Sequence, residues 1–333
     1  MVFGNALMDT DSATASIPVH LARQFEPVTD KGRVKINSPK ILCVYILESD
    51  KSSEEKAKLT LNFFSIITDI CLKQGVRLHL DFTRLQRITA SAALMLFSEI
   101  SRIQLVTDTP DVITFTEPSE PACKQVFRKT GLYRAIMPGT YRKLVGLFDE
   151  DQPFQSGDDP NKFLISSLLA LNKQGLELSK PEVKVVSKGI QEAMLNVMHH
   201  AYANEEKPNS GIGTRWWQLC LCNPSKKEIS FIIYDKGSSI PISIRDRLAP
   251  DATDADCIEF AFRKGVSRFS DRPERGKGSE DIRQVATVRV NSSLLVMSGQ
   301  GMYYVNSTLV DVVKLAVPLS VGGTLVEWSI PYE

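Results

Sequence analysis

Apolar residues recur along this chain at two periods, and the alternation between them lays out its elements. Residues 41–47 are apolar and β-branched, as in a buried strand. Between residues 54 and 73, Leu59, Phe63, Ile66, Ile67 and Ile70 fall at helical spacing, and Gly75 ends the run. A second strand is predicted over 76–82. Thr89 opens a further amphipathic helix through Ala93, Leu94, Leu96, Phe97 and Ile100. A strand follows at 112–115, then a short helix over 122–130 closed by Gly131. Strand and helix alternate, which marks a small α/β unit.

Residues 1–38, rich in Ser, Thr, Asp, Lys and Pro without sustained period, are expected to be a flexible tail. Prolines, glycines and an acidic cluster (Asp149, Glu150, Asp151, Asp158, Asp159) make 137–156 the expected linker between a first domain, 39–136, and a second, 157–333. The second domain is predicted to hold helices at 160–175 and 181–203 and strands at 214–223 and 228–235. A long irregular stretch then leads to Gly278, followed by a helix from Ser279 and strands at 293–298, 301–306 and 323–330.

The length of 333 residues fits two such domains, and 43% hydrophobic with 24% charged residues places the chain among ordinary globular proteins. Forty basic against thirty-nine acidic side chains leave a net charge of +1, so no nucleic-acid or anionic-membrane partner is expected. No run approaches the roughly 20 apolar residues of a membrane span, and no leader is read at the start of the chain. Six cysteines (Cys43, Cys71, Cys123, Cys220, Cys222, Cys257) lack the paired spacing of a zinc site. They predict reduced thiols and a cytoplasmic protein. Cys220 and Cys222 share one face of a strand. Only His199 and His200 are available to complete a metal site with them, so core packing is the expectation.

The chemistry concentrates in the second domain. Glu192, Asn196 and His200 stand at i, i+4 and i+8 on one helix face, an arrangement that a solvated polar stripe would share. Ile229, Phe231 and Ile233 share one side of a strand, and alternation aims Asp235 the same way just before Gly237. A carboxylate buried there needs a partner, either the backbone amides of a turn or a donor on a ligand such as an adenine amino group.

Taken together, Glu192, Asn196, His200 and Ala201, then Asp235-x-Gly237-x-x-Ile240-Pro241, Gly276-Lys277-Gly278 and Gly322-Gly323-Thr324 resemble the GHKL ATPase superfamily. That group spans gyrase-type ATPases, MutL-type proteins, sensor histidine kinases and anti-sigma-factor serine kinases. The resemblance covers about 157–333 and implies an α/β sandwich with helices on one face of a mixed sheet, binding ATP and Mg²⁺. It implies that Glu192 orients or deprotonates the attacking oxygen, that Asn196 coordinates Mg²⁺, and that His200 borders the nucleotide. Asp235 would read adenine with Thr324 in support, and Gly237, Ser239 and Ile240 would line the base. Gly276, Lys277 and Gly278 would receive phosphate, beneath a lid that includes Arg263, Lys264, Arg268, Arg272 and Arg275. Two positions depart from the pattern. Ser239 replaces its second glycine, and Ser279-Glu280 stand where many members have Leu-Gly.

Residues 40–136 resemble a STAS domain, the fold of anti-sigma-factor antagonists, through Leu80-Asp81-Phe82, Ile88-Thr89-Ala90-Ser91-Ala92, Pro121-Ala122 to Val126 and Thr130-Gly131-Leu132. The match is degenerate: Ala90 stands at the acceptor serine, and Thr89 or Ser91 is either a helix cap or a weak candidate for phosphorylation. The two resemblances imply a regulatory Mg-ATP-binding protein, a serine/threonine kinase or slow ATPase acting on a partner protein through the STAS-like domain. The alternatives are a nucleotide-gated interaction module without catalysis and a scaffold that binds no nucleotide. A sensor histidine kinase is disfavoured because His20 lies in the tail and His79 in a strand. A DNA-handling motor is disfavoured because no transducer domain is read after the last strand.

Overall fold

The computed structural model describes residues 28–30, 32–48, 50–203, 212–263, 278–308 and 312–332. The start of the expected tail and the lid residues Lys264, Arg268, Arg272, Arg275, Gly276 and Lys277 lie outside them. The chain is an α/β protein, with parallel strands and helices in its N-terminal part and a seven-stranded antiparallel sheet packed against helices in its C-terminal part.

The N-terminal part runs β1 (Val28–Asp30), β2 (Arg33–Asn37), β3 (Ile41–Leu42), α1 (Lys51–Thr68), β4 (Leu78–Asp81), β5 (Arg87–Ile88), α2 (Ala90–Val106), β6 (Ile113–Thr116), α3 (Pro121–Lys129), α4 (Leu132–Ile136) and α5 (Tyr141–Asp149). Strands β2, β4 and β6 are parallel neighbours, and β1 adds antiparallel to β2. Alternation sends Val34, Ile36, Leu78, Leu80 and Ile113 into one core with Phe63, Ile67, Leu94 and Phe97. Asp50 starts α1 by accepting a hydrogen bond from the Ser52 amide at 2.9 Å.

Two expectations change here. The tail assigned to 1–38 contains β2, whose five residues are too few and too polar at alternate positions to stand out. The strand expected at 41–47 forms a ladder at Ile41–Leu42 alone, in parallel with β5, and Leu47 makes an isolated antiparallel bridge with Asp50. Beyond it, the Cys43 amide donates to the Thr60 hydroxyl of α1 at 2.9 Å, so a helix side chain takes the place of a neighbouring strand.

The C-terminal part comprises β7 (Phe154–Gly157), α6 (Pro160–Lys173), α7 (Lys180–Asn196), β8 (Trp216–Asn223), β9 (Glu228–Asp235), α8 (Ile240–Ile244), α9 (Asp254–Ala261), α10 (Gly278–Gln284), β10 (Ser293–Ser298), β11 (Gly301–Asn306), β12 (Val313–Ala316) and β13 (Thr324–Pro331). The strand order is β12-β11-β10-β13-β9-β8-β7, with every neighbouring pair antiparallel. The sheet is therefore antiparallel throughout, whereas the family resemblance implied a mixed one.

Helices also lie on both of its faces. Ile229, Phe231, Ile233, Val326, Trp328 and Val296 pack with Val186, Ile190 and Met194 of α7. Their sequence neighbours Ile232, Tyr234, Leu325, Leu295 and Met297 join the core of the N-terminal part instead.

The expected linker holds α5 and β7. All four residues of β7 are buried, and it pairs with β8 at the sheet edge. The acidic residues that marked a linker turn out to be punctuation and pairing. Asp159 caps α6 by accepting from the Asn161 amide at 3.0 Å, Asp158 meets Arg215 at 2.8 Å, and Glu150 pairs with Arg134. Gly157 is needed because a Cβ there would lie 2.6 Å from the Trp216 ring.

Polar bonds fix how α2 sits on the sheet. Ser91, 0% exposed, donates to Glu327 of β13 at 2.6 Å, and the Tyr45 hydroxyl donates to the same carboxylate at 2.7 Å. Trp217 of β8 donates to the Ser101 hydroxyl at 2.8 Å. Thr89 is the helix cap residue, in extended conformation, but its hydroxyl makes no capping bond. Burial raises the Glu327 carboxyl above its usual range, against the opposing pull of the Ser91 and Tyr45 hydroxyls. A carboxyl raised in the folded state favours its protonated form, so this contribution is fully present below the ordinary glutamate value and is lost as pH rises through the raised one. Glu327→Gln, neutral throughout, is expected to gain stability relative to the unsubstituted protein as pH rises above the ordinary glutamate value of about 4. Urea unfolding at each pH checks this, and a difference that stays constant across the range contradicts it.

Candidate functional site

The ends of three adjacent strands place a row of polar side chains on the α7 side of the sheet. Asp235 at the end of β9 is paired with Thr324 at the start of β13, and Thr324 with Ser298 at the end of β10. Each continues an apolar alternation that faces the helices: Phe231 and Ile233, Trp328 and Val326, Leu294 and Val296. The hydroxyls of Ser298 and Thr324 lie 2.9 Å apart, and Ser298 Oγ also receives the Ile240 amide at 2.8 Å. Asp235 is 5% exposed, and its Oδ1 accepts the Gly237 amide at 2.9 Å. The turn reading of this carboxylate is therefore met, while its neighbours are the hydroxyls that a base-reading site would use.

Helix α7 brings the second set of residues to the same place. Ser179 and Glu182 form a capping box at its start, the Ser179 amide donating to Glu182 at 2.7 Å, and Arg289 grips Glu182 at 2.8 Å. The helix carries Glu192 and Asn196, then widens into a π-type turn over Val197–Ala201 that includes His200. Its end docks on the strand-end turn. The Ser238 amide donates to the Ala201 carbonyl at 2.5 Å, the Lys236 amide to the Tyr202 hydroxyl at 3.2 Å, and that hydroxyl to the Arg215 carbonyl at 2.7 Å.

Glycine is required at two points of this junction. A Cβ on Gly237 would collide with the Ala201 carbonyl. A Cβ on Gly323, whose φ is +132°, would collide with the Asp235 carbonyl.

Ser239 shows why the departure from the glycine pattern is tolerated. Its φ is −70°, so a side chain costs no backbone strain, and it precedes Ile240 as the cap residue of α8. Gly278 opens α10 against Glu192, close enough that a Cβ would strike the carboxylate. Gly189 on α7 lets α10 cross, since a Cβ there would meet Val285 and lie 3.0 Å from the Asp281 carbonyl.

Burial raises the Glu192 carboxyl and Asp281 adds to the shift, while His199 and Lys188 oppose it. Glu192 is thus moved toward the range in which a carboxylate accepts a proton readily. Asp281, in the first turn of α10, lies 3.9 Å from Lys188.

Glu192, Asn196, His200, Asp235, Gly237, Ser239, Ile240, Gly278 and Thr324 therefore belong to one neighbourhood built from α7, the ends of β9 and β13, and the starts of α8 and α10. Gly276 and Lys277 lie outside the described residues. Sequence reasoning missed Ser298, on a strand with no motif of its own, and Tyr202, Gly189 and Lys236, which lie in or beside the motif segments at positions the motifs leave unspecified. Among the described residues no group of three or more His, Cys, Asp or Glu side chains is arranged to hold a metal ion. None of their helices is long and apolar enough to cross a membrane. No known family model matches the chain, and no curated protein matches it.

The two close approaches make a stability test. Gly237→Ala and Gly323→Ala are each expected to lower the unfolding free energy by about 1–3 kcal/mol. Gly146→Ala, in α5 with nothing within 4 Å of the new methyl, should raise it by about 0.5–1 kcal/mol. Urea denaturation of the three variants compares them directly.

Proposed function

We propose that the C-terminal part is a GHKL-type ATP-binding domain and that the N-terminal part is a degenerate STAS-like domain docked on its sheet. Together they would form a regulatory protein that acts on a partner protein. The observation that carries this reading is the Asp235, Thr324 and Ser298 row, closed on one side by the helix that bears Glu192, Asn196 and His200. A buried carboxylate beside hydroxyls suits an adenine amino group, which donates, and disfavours a guanine carbonyl, which does not.

The residues present also fit Mg²⁺. Asn196 offers an amide oxygen to a hard cation, and the remaining ligands would come from phosphates. When bound, Mg²⁺ would neutralise phosphate charge. The chain's own contribution is to position. Asp235 and Thr324 hold the base edge, and Glu192, raised by burial, accepts a proton from or orients an attacking hydroxyl or water. This supports phosphoryl transfer to a partner protein or slow hydrolysis.

A second reading, a nucleotide-gated interaction module with little turnover, is favoured by one observation. Asp281 shares the field at Glu192 and adds negative charge where a γ-phosphate would approach. Ser91, fully buried against Glu327, is not accessible as an acceptor in the docked arrangement.

Isothermal titration calorimetry with ATP, with and without Mg²⁺, tests the reading. The protein should bind Mg-ATP, and Asp235→Asn should weaken binding by about tenfold or more, as expected for a lost hydrogen bond to a charged group. Heat absent from the folded protein defeats the proposal. Undiminished binding by Asp235→Asn defeats the assignment of the base-reading residue. Glu192→Gln separates the two readings, since it should abolish any phosphoryl transfer or hydrolysis while leaving ATP affinity within about threefold.

A further inference from the structure

Away from the strand ends, one lysine of the N-terminal part is held without an acid. Lys143, in the first turn of α5, turns toward α2. Its Nζ donates to the Gln104 side-chain oxygen at 2.6 Å and to the Met137 carbonyl at 3.0 Å. Gln104, 0% exposed, is itself fixed, its amide nitrogen donating to the Pro110 carbonyl at 3.0 Å and to the Met137 carbonyl at 3.3 Å. Gly139, whose amide donates to the same Pro110 carbonyl at 3.1 Å, lies against the lysine stem. A Cβ there would come within 2.7 Å of Lys143 Cβ.

A lysine drawn out of water is ordinarily paired with a carboxylate. Among the described residues Lys143 has no such partner. The polar groups that α2, the turn at Pro110 and the α4–α5 connection set around it are the Gln104 amide and backbone carbonyls. Burial pushes its ammonium down to about 7. The first turn of a helix, where partial positive charge collects, also disfavours a cation. Two acceptors match the two N–H groups of a neutral amine, and the nitrogen lone pair is left unused. Lys143 is only half-buried, and Met137 and Pro138 beside it are exposed, so a reagent in solution can approach.

We propose that Lys143 is a modification site, a nucleophilic amine that takes an activated acyl group from a thioester or an acyl phosphate. The Nζ lone pair attacks the acyl carbonyl carbon and an N–C bond forms. The C–S or C–O bond to the carrier breaks, its electron pair leaves on the thiolate or the phosphate, and the proton displaced from nitrogen passes to that leaving group. The product amide carries no charge, so burial costs it far less than it costs the ammonium. Its remaining N–H can stay on the Gln104 oxygen, while the Met137 carbonyl keeps the Gln104 amide nitrogen as donor. The site lies in the N-terminal part, and its reaction requires no nucleotide.

The unsubstituted protein is incubated between about pH 6 and about pH 10 with acetyl phosphate in one arm and acetyl-coenzyme A in another. Mass spectrometry reads the acetylation rate at each lysine. At pH 7, Lys143 is expected to react at least about tenfold faster than the exposed Lys58, Lys129 and Lys184, with one donor or both. Its rate should level off above a midpoint near pH 7, whereas an ordinary lysine keeps gaining rate to about pH 10. Whichever donor reacts selectively supports the proposal and identifies the carrier. Gln104→Glu, which sets a carboxylate beside the nitrogen and favours the ammonium, should lower the rate at pH 7 by about tenfold and raise the midpoint.

Lys143 reacting no faster than the exposed lysines with either donor overturns the proposal, as does a rate without a plateau below about pH 9. A folded Gln104→Glu that keeps the full rate overturns it as well. If Gln104→Glu does not fold, the pH profile of the unsubstituted protein decides alone.

Discussion

The central strands of the large sheet are buried on both faces, and this constraint governs the rest of the molecule. In β9, β10 and β13 each successive residue must enter one of two cores, so no position is free to be polar unless a partner is supplied. The polar exceptions are accordingly few and engaged. Asp235, Thr324 and Ser298 gather at one end of the strands on the helix side. Glu327 breaks the apolar run on the other side and is met by Ser91 and Tyr45. One alternation thus separates a candidate ligand site from a docking surface across the thickness of a single sheet.

The parts of this arrangement that were legible in the sequence are those where local pattern and tertiary structure ask for the same residue. The alternation of Ile229, Phe231 and Ile233 predicts the orientation of Asp235, because a strand's period leaves no other choice. The i, i+4 spacing of Glu192 and Asn196 on α7 predicts their common face for the same kind of reason. Helix starts were also visible, since Pro160 and Asp159, or Ser179 and Glu182, act within one turn.

What escaped depends on residues far apart in the chain. Strand β7 is four residues long and contains a glycine, so nothing local distinguishes it from the turns on either side, and only β8 makes it a strand. Strand β12 is a short edge strand with Lys314 in it, and its side chain pairs with Asp256 and Glu259 of α9. The antiparallel character of the whole sheet was likewise hidden, because strand direction follows from connections and not from composition. In the candidate site, Lys236 carried no signal beyond being a charged residue in a turn. Its side chain pairs with Glu99, which in the sequence is one of several polar residues of α2, beside Ser98, Ser101 and Arg102.

Strand β13 is last in sequence yet lies between β10 and β9, near the middle of the sheet. Protein synthesis proceeds from the other end. While the chain is still emerging from the ribosome, β9 and β10 can each find only one neighbour, and the facing edges stay open with their amides and carbonyls unpaired. The carboxylate that receives Ser91 and Tyr45 is absent over the same interval. Closure of the sheet and seating of the N-terminal part therefore wait on the same strand, and a nascent chain stalled before Thr324 would carry two adhesive edges at once.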